Sequence, residues 1–283
     1  MPLLHGREGN PLNAPRPSLS RQPRAILITG ASSGIGRALA LAYAAPGVHL
    51  ALIGRNQQRL AEVAAAAKAQ GAEVIAAQVD VRDREAMQAW IAAADEARPF
   101  ELAIANAGIT SGLANAALSE DPEAVRALLA TNLFGVLNTI EPLIGPMCTR
   151  GAGQIAIIGS LAGLRGLPFS PAYSASKAAV HAYAEALRGR LERRGVRVGL
   201  VIAGFVKTPL NDSIDTIKPF EISDVAAARI IKNGLARGRA VIAFPMALYV
   251  ATRLARILPP RFVDRLFTRF SVNVPETQER VNM

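Results

Sequence analysis

Seven short stretches of the chain are continuously apolar and rich in β-branched residues: 25–29 (AILIT), 48–53 (VHLALI), 72–79 (AEVIAAQV), 101–105 (ELAIA), 153–159 (GQIAIIG), 196–203 (VRVGLVIA) and 240–244 (AVIAF). A strand with one wet face alternates apolar and polar positions. These do not, which predicts strands covered on both faces. Between them, alanine-rich segments near 35–45, 56–70, 83–97, 122–148, 171–194 and 222–237 read as helices. Such alternation predicts a parallel sheet with helices on both sides, and right-handed crossovers make it doubly wound. The predicted fold is α/β: one Rossmann-type domain over residues 25–244 with a parallel sheet of about seven strands. Residues 1–24, rich in Pro, Arg and Ser, read as a flexible basic arm, without the apolar segment of a secretory signal. Residues 245–283 read as an amphipathic helical extension, and the apolar stretches of the chain are too short for a membrane span.

Composition narrows this picture. With 283 residues, 51% of them hydrophobic, the chain can bury one large core. A net charge of +10 raises the question of nucleic acid, but the arginines are scattered and no nucleic-acid-binding motif accompanies them. That charge better suits an anionic cofactor or an anionic membrane surface. The single cysteine, Cys148, rules out an internal disulfide and fits a cytoplasmic location. With three histidines and no His/Cys cluster at zinc spacing, no metal is expected.

The first strand runs into LITGASSGIGRALA, where Gly30, Gly34 and Gly36 permit a tight turn against the start of a helix. Turn amides and a helix N-terminus together favour a pyrophosphate, with Ser32, Ser33 and Ile35 in the same turn and Arg37 just beyond. The spacing Thr-Gly-x-x-x-Gly-x-Gly resembles that of the short-chain dehydrogenase/reductase family, and further motifs follow in the family's order from about Ala25 to Phe244. The second strand ends in Gly54 and Arg55, where dinucleotide folds that choose NAD usually carry an acid. A guanidinium suits a 2′-phosphate, so the expected cofactor is NADP(H) rather than NAD(H), the alternative for Arg55 being a solvated loop residue. Asp80, followed by Val81, matches the acid that the family uses near the adenine amino group; a strand-end carboxylate is the plain alternative.

The catalytic candidates begin with Tyr173 and Lys177, four apart on one helix face. A free phenol is a poor acid or base near neutrality, and a neighbouring cation favours its ionised form. Ser160, at the carboxyl edge of a strand and thirteen positions earlier, completes a Ser…Tyr-x-x-x-Lys pattern that resembles the family's catalytic signature. The resemblance implies that Ser160 orients a substrate oxygen, Tyr173 exchanges its proton, and Lys177 lowers the tyrosine pKa and holds the cofactor ribose. It also implies that Asn132 anchors a water that relays protons from Lys177, against a structural asparagine bonded to backbone. IANAG, with Asn106, Ala107 and Gly108, is similar to the family's Asn-Asn-Ala-Gly element, Ala105 replacing the first Asn. In IAGFVKTPL, Gly204, Val206 and Thr208 match the segment beside the nicotinamide, although Ala203 stands where the family has proline.

The expected activity is therefore an NADP(H)-dependent interconversion of a carbonyl and a secondary alcohol. Its alternative is a dinucleotide-binding scaffold or redox sensor without turnover. His181 reads as a packed or dimer-face histidine, and Met147 and Cys148 as helix-end packing. Segment 211–223 falls where the family keeps its substrate lid, with Ile214, Ile217 and Phe220 as pocket candidates. In 244–270, Leu248, Ala251, Leu254 and Leu258, then Phe262, Leu266 and Phe270, recur beside arginines. Such helices pack on the domain, or lie against a membrane or a lipid-like substrate. The family resemblance further implies a homodimer or homotetramer assembled through helices 122–148 and 171–194.

Overall fold

The computed structural model describes residues 22–113, 117–212 and 218–267. Strands and helices alternate: β1 (Ala25–Thr29), α1 (Gly34–Tyr43), β2 (His49–Ile53), α2 (Gln57–Ala69), β3 (Glu73–Ala77), α3 (Arg84–Ala97) and β4 (Leu102–Ala105). Then come α4 (Pro122–Leu129), a π-helical turn (Ala130–Phe134) and α5 (Gly135–Arg150), continuous as one helix, followed by β5 (Gly153–Ser160) and a 3-10 turn (Leu161–Gly163). α6 (Pro171–Leu191) leads to β6 (Val196–Ala203), β7 (Val206–Lys207), α7 (Pro209–Asp212), β8 (Ile222–Ser223), α8 (Asp224–Ala236) and β9 (Val241–Phe244). α9 (Met246–Ala255) and α10 (Pro260–Phe267) follow.

The main sheet is parallel with seven strands in the order β3-β2-β1-β4-β5-β6-β9. Successive side chains of a strand point to opposite faces. Accordingly Ile26 and Ile28 of β1 join the core under α1, α2 and α8, while Ala25 and Leu27 join the one under α3, α5 and α6. Burial of each such aliphatic side chain contributes about 1.5–3 kcal/mol, so the two-sided cover accounts for the unbroken apolar runs. β3 is the exception: it lies at the sheet edge, and Ile75 is 38% exposed.

Several boundaries shift for physical reasons. Arg24, assigned to the flexible arm, is tied to the body: its N–H donates to Glu101 Oε2 at 2.9 Å and its carbonyl accepts from His49 N–H at 2.6 Å. Segment 206–223 adds a small two-stranded sheet, β7 with β8, so Ile222 and Ser223 precede the helix rather than open it. The continuous helix Pro122–Arg150 is, contrary to expectation, long and apolar enough to cross a membrane. Half of its most apolar window is buried inside the body, where α5 packs on α3, β4 and β5. It is a core helix.

Strand order reverses at β1, whose neighbours are β2 on one side and β4 on the other. The loops leaving the carboxyl ends of β1 and β4 diverge there, and the crevice between them is the binding place such sheets offer.

Candidate active site

Asn106, just past β4, ties the crevice together. Its side-chain amide donates to the Thr29 and Gly30 carbonyls at 3.0 and 3.2 Å, and its backbone N–H donates to Thr29 Oγ1 at 3.2 Å. Gly30 has φ +65°, and a Cβ on Gly36 would lie 2.2 Å from the Gly30 carbonyl oxygen, so the turn closes only around glycine. Ser33 precedes α1 without capping it by its side chain, and Ser33, Gly34 and Ile35 line the cavity at this helix start.

The cavity, about 280 Å³, extends from this turn to the end of β5. Its lining includes Gly30, Ser32, Ser33, Gly34 and Ile35 on one side, and Asn106, Ala107, Gly108, Ser160, Tyr173 and Lys177 on the other. Arg55, Val81, Gly204, Val206 and Thr208 complete the expected wall. Gly36 acts from behind the turn. The residues fit a dinucleotide: a turn that closes only around glycine, a helix start that no side chain caps, and Arg55 just past β2.

Asp80, Asn132 and Phe220 stand apart from the other expected residues. Asp80 does not line the cavity. Arg82 takes its carboxylate through Nε and a second guanidinium nitrogen at 2.6–3.0 Å, which together with the nearby Arg55 charge holds that carboxyl below its usual range despite burial. Asn132, fully buried in the π turn, accepts from Ile109 N–H at 2.8 Å and donates to the Ile109 carbonyl at 2.9 Å and Ser176 Oγ at 3.3 Å. Its amide serves as a backbone clamp beside Gly108, the bonding expected of a structural asparagine. Phe220 is 62% exposed with φ +56° and does not line this cavity; Ile214 and Ile217 lie outside the described residues, as does Phe270.

Sequence reasoning missed Asn56 and Arg59, which line the cavity from the start of α2 beside Arg55, and Ile109, Leu210 and Asn211 at its other end. Asn56 carried a visible signal, an N-cap whose side chain accepts from Arg59 N–H at 2.8 Å. Arg37, expected to help the turn, pairs instead with Asp224 at 3.7 Å. Among the described residues no group of three His, Cys, Asp or Glu could hold a metal ion.

α6 carries Tyr173 and Lys177 to the cavity. Pro171 opens the helix, and Glu120 Oε2 accepts from Ala172 N–H at 2.8 Å, fixing the first turn. Its sheet-facing stripe continues Leu191, Leu187, Ala184 and Val180 upward to Lys177, so helical spacing itself buries the lysine. Lys177 Nζ donates to the Ile158 carbonyl at 3.1 Å and stands 5.7 Å from the centre of the Tyr173 ring. The half-buried Tyr173 hydrogen-bonds to the Ser160 side chain, whose Oγ also accepts from Ala162 N–H at 3.2 Å.

A family model for short chain dehydrogenases matches residues 24–218. The chain belongs to the short-chain dehydrogenase/reductase family. It is 39% identical over 243 residues to an uncharacterized oxidoreductase of Myxococcus xanthus, covering 85% of this chain and 95% of that one. It is 32% identical over 218 residues to the ketoacyl reductase HetN of Nostoc sp., covering 76% and 74% respectively. A short-chain dehydrogenase from Sphingobium yanoikuyae in complex with NADPH superposes with a TM-score of 0.73 at 25% identity, over 90% of this chain and 97% of that one. One from Mycobacterium paratuberculosis bound to NAD gives 0.68 at 26% identity, over 78% and 94%.

In this short-chain dehydrogenase/reductase the titrating groups are poised by burial. Burial pushes the Tyr173 phenol up, and only the Ser160 hydrogen bond draws it back. The expected lowering by Lys177 does not prevail here. Burial also pushes the Lys177 ammonium down to about 8 from 10.5. Below pH 8 the folded state carries the cost of a buried ammonium, and that cost is relieved as pH rises from about 8 to 10.5. Replacing Lys177→Met should therefore raise unfolding stability by about 1–3 kcal/mol at pH 7. The margin should shrink towards zero by pH 10.5, the ordinary lysine value. Urea titrations at both pH values check this; a margin that does not change with pH would overturn the burial argument.

Proposed function

We propose that this oxidoreductase interconverts a carbonyl and a secondary alcohol with NADP(H). The observation that carries the proposal is the convergence of Ser160, Tyr173 and Lys177 on the cavity that also holds the glycine turn. A nicotinamide dinucleotide supplies or takes up the hydride when bound. The residues that would hold it are the 30–36 turn, Arg55, Arg59, Val81, Asn106 to Gly108, Lys177, and Gly204 to Thr208. Everything else falls to the side chains. The Ser160 hydroxyl holds the substrate oxygen at the end of β5. Tyr173 gives that oxygen its phenolic proton in reduction and takes one back in oxidation. Lys177 stands beside the Tyr173 ring, where it would hold the cofactor ribose, and its bond to the Ile158 carbonyl keeps it there. Asn132 acts on the wall, holding Ile109 and thereby Gly108 next to Lys177.

NADP is favoured over NAD because the end of β2 offers two guanidinium groups, Arg55 and Arg59, and no acid. The nearest carboxylate, Asp80, is already matched by Arg82. Ile109, Val206 and Leu210 make the substrate end apolar, which together with the similarity to a ketoacyl reductase favours an apolar or lipid-like carbonyl compound. Assembly as a homodimer or homotetramer through α4–α5 and α6 is part of the same reading; Phe134 in the π turn is 55% exposed on that helix. So is contact with an anionic membrane. Met246, Val250, Leu254, Ile257, Leu258 and Phe262 form an exposed apolar stripe along α9 and α10, and Arg253 and Arg261 are exposed on the same helices.

Tyr173→Phe should lower kcat roughly a thousandfold on any ketone the parent reduces, while NADPH affinity stays within about twofold. Undiminished turnover would remove Tyr173 from the mechanism, and a parent inert towards acyl ketones, steroids and small ketones alike would favour a scaffold without turnover. Arg55→Ala and Arg59→Ala should each weaken NADPH about tenfold and NADH far less, as fluorescence titration reads. Equal weakening of both cofactors would count against the NADP assignment. Co-sedimentation with anionic vesicles should be strong at low salt and lost in Leu254→Glu/Ile257→Glu; protein that stays in solution at every ionic strength rules out the membrane contact.

A further inference from the structure

His181 lies one helical turn past Lys177 on the sheet-facing side of α6, and the proton transfer proposed above gives it no task. It is only 6% exposed. Burial, with the Lys177 and Arg256 charges beside it, pushes its pKa down to about 4, so the ring stays neutral and keeps one acceptor nitrogen. That nitrogen is in use. Nε2 accepts the backbone N–H of Ser160 at 3.3 Å.

The surroundings are shaped to the ring. A Cβ on Gly159 would fall 2.4 Å from His181 Nε2, and one on Gly163 would fall 2.7 Å from Cε1. Two glycines, one in β5 and one in the 3-10 turn, therefore open the slot that the imidazole fills. β4 stops pairing with β5 at Ile157, so the strand end that carries Ser160 has lost that neighbour. The imidazole supplies an acceptor there, and α9 packs on the same 3-10 turn from outside.

We infer that His181 is a positioning residue: its Nε2 holds the Ser160 backbone and so sets where the Ser160 hydroxyl stands relative to Tyr173. The inference rests on the roles proposed above for Ser160 and Tyr173. It differs from simple packing in one respect. Packing needs the ring; positioning needs the acceptor.

His181→Phe keeps a ring in the slot without an acceptor, and His181→Gln places an amide oxygen near the position of Nε2. On a ketone that the parent reduces, His181→Phe should lower kcat about tenfold and leave NADPH affinity within about twofold. Because Ser160 draws the Tyr173 phenol down, the tyrosine limb of the pH–rate profile should move to higher pH in the same variant. His181→Gln should restore most of both. Full activity in His181→Phe, or equal damage in Phe and Gln variants, would overturn the inference. A second arm needs no substrate. The chain has three histidines, so nitrogen-15 spectra of histidine-labelled protein can assign each ring. At pH 7 His181 must carry its proton on Nδ1 with Nε2 as acceptor, and the opposite tautomer or an imidazolium refutes the contact. A parent that reduces no ketone, or a fully active Tyr173→Phe, sinks the proposed function instead, and the spectra still decide whether His181 holds Ser160.

Discussion

A single asparagine bridges two strand ends at the place where the order of the sheet reverses. Asn106 follows β4; its side-chain amide donates to the Thr29 and Gly30 carbonyls at the end of β1, and its backbone N–H donates to Thr29 Oγ1. Without that clamp the two loops would be free to spread, since the ladder between β1 and β4 ends at Ile28 and Ile104. The glycine turn takes its shape against this clamp: a Cβ on Gly30 would strike Ala107, and one on Gly36 would strike both Gly30 and Asn106. A parallel sheet then does the rest. It directs the carboxyl ends of β1, β4, β5 and β6 to one edge, so Gly30, Asn106, Ser160 and Gly204 converge although they are spread along most of the chain.

α6 answers a harder problem, which is to keep polar groups inside an apolar stripe. Lys177 and His181 take positions that a purely structural helix would give to leucine or alanine. Each is compensated by one backbone group of β5, the Ile158 carbonyl for the ammonium and the Ser160 N–H for the imidazole. Burial of the pair costs stability, and the hydrogen bonds offset part of it. The end of β5 is thus held by the helix that carries the tyrosine. Serine and tyrosine are thereby kept in register by a contact on the side facing away from the cavity. Natural proteins accept local strain or buried polarity where function needs it, and α6 buries Ser174, Ser176, Lys177 and His181 within about one turn of the Tyr–Lys pair.

Much of this was legible in the chain. Apolar runs located all seven strands of the main sheet to within about two residues, because burial on both faces leaves an unambiguous pattern. The glycine turn, Ser160, Tyr173 and Lys177 could be read because each depends on local spacing. What could not be read depends on distant partners. Nothing near Asn132 says that Ile109 will satisfy its amide on both sides. The π turn around Asn132 has an ordinary helical sequence, and its extra residue shows only in the backbone. β7 and β8 are too short to leave a periodicity. His181 was placed correctly in the core, but its partner is a backbone amide 21 residues away in sequence.

The C-terminal extension divides its amphipathic pattern between an inner and an outer side. Its inner side packs as a structural helix would: Tyr249 joins the core, Val263 is buried, and Asp264 pairs with Arg165 in the loop after the 3-10 turn. Its outer side does not, since Met246, Val250 and Leu254 recur every fourth residue on a face left to solvent. A helix that only closed the core would carry polar residues there. The same helix that packs on the 3-10 turn after Ser160 thus presents an apolar surface outward, so the residues that close the core and those that face solvent share one short element.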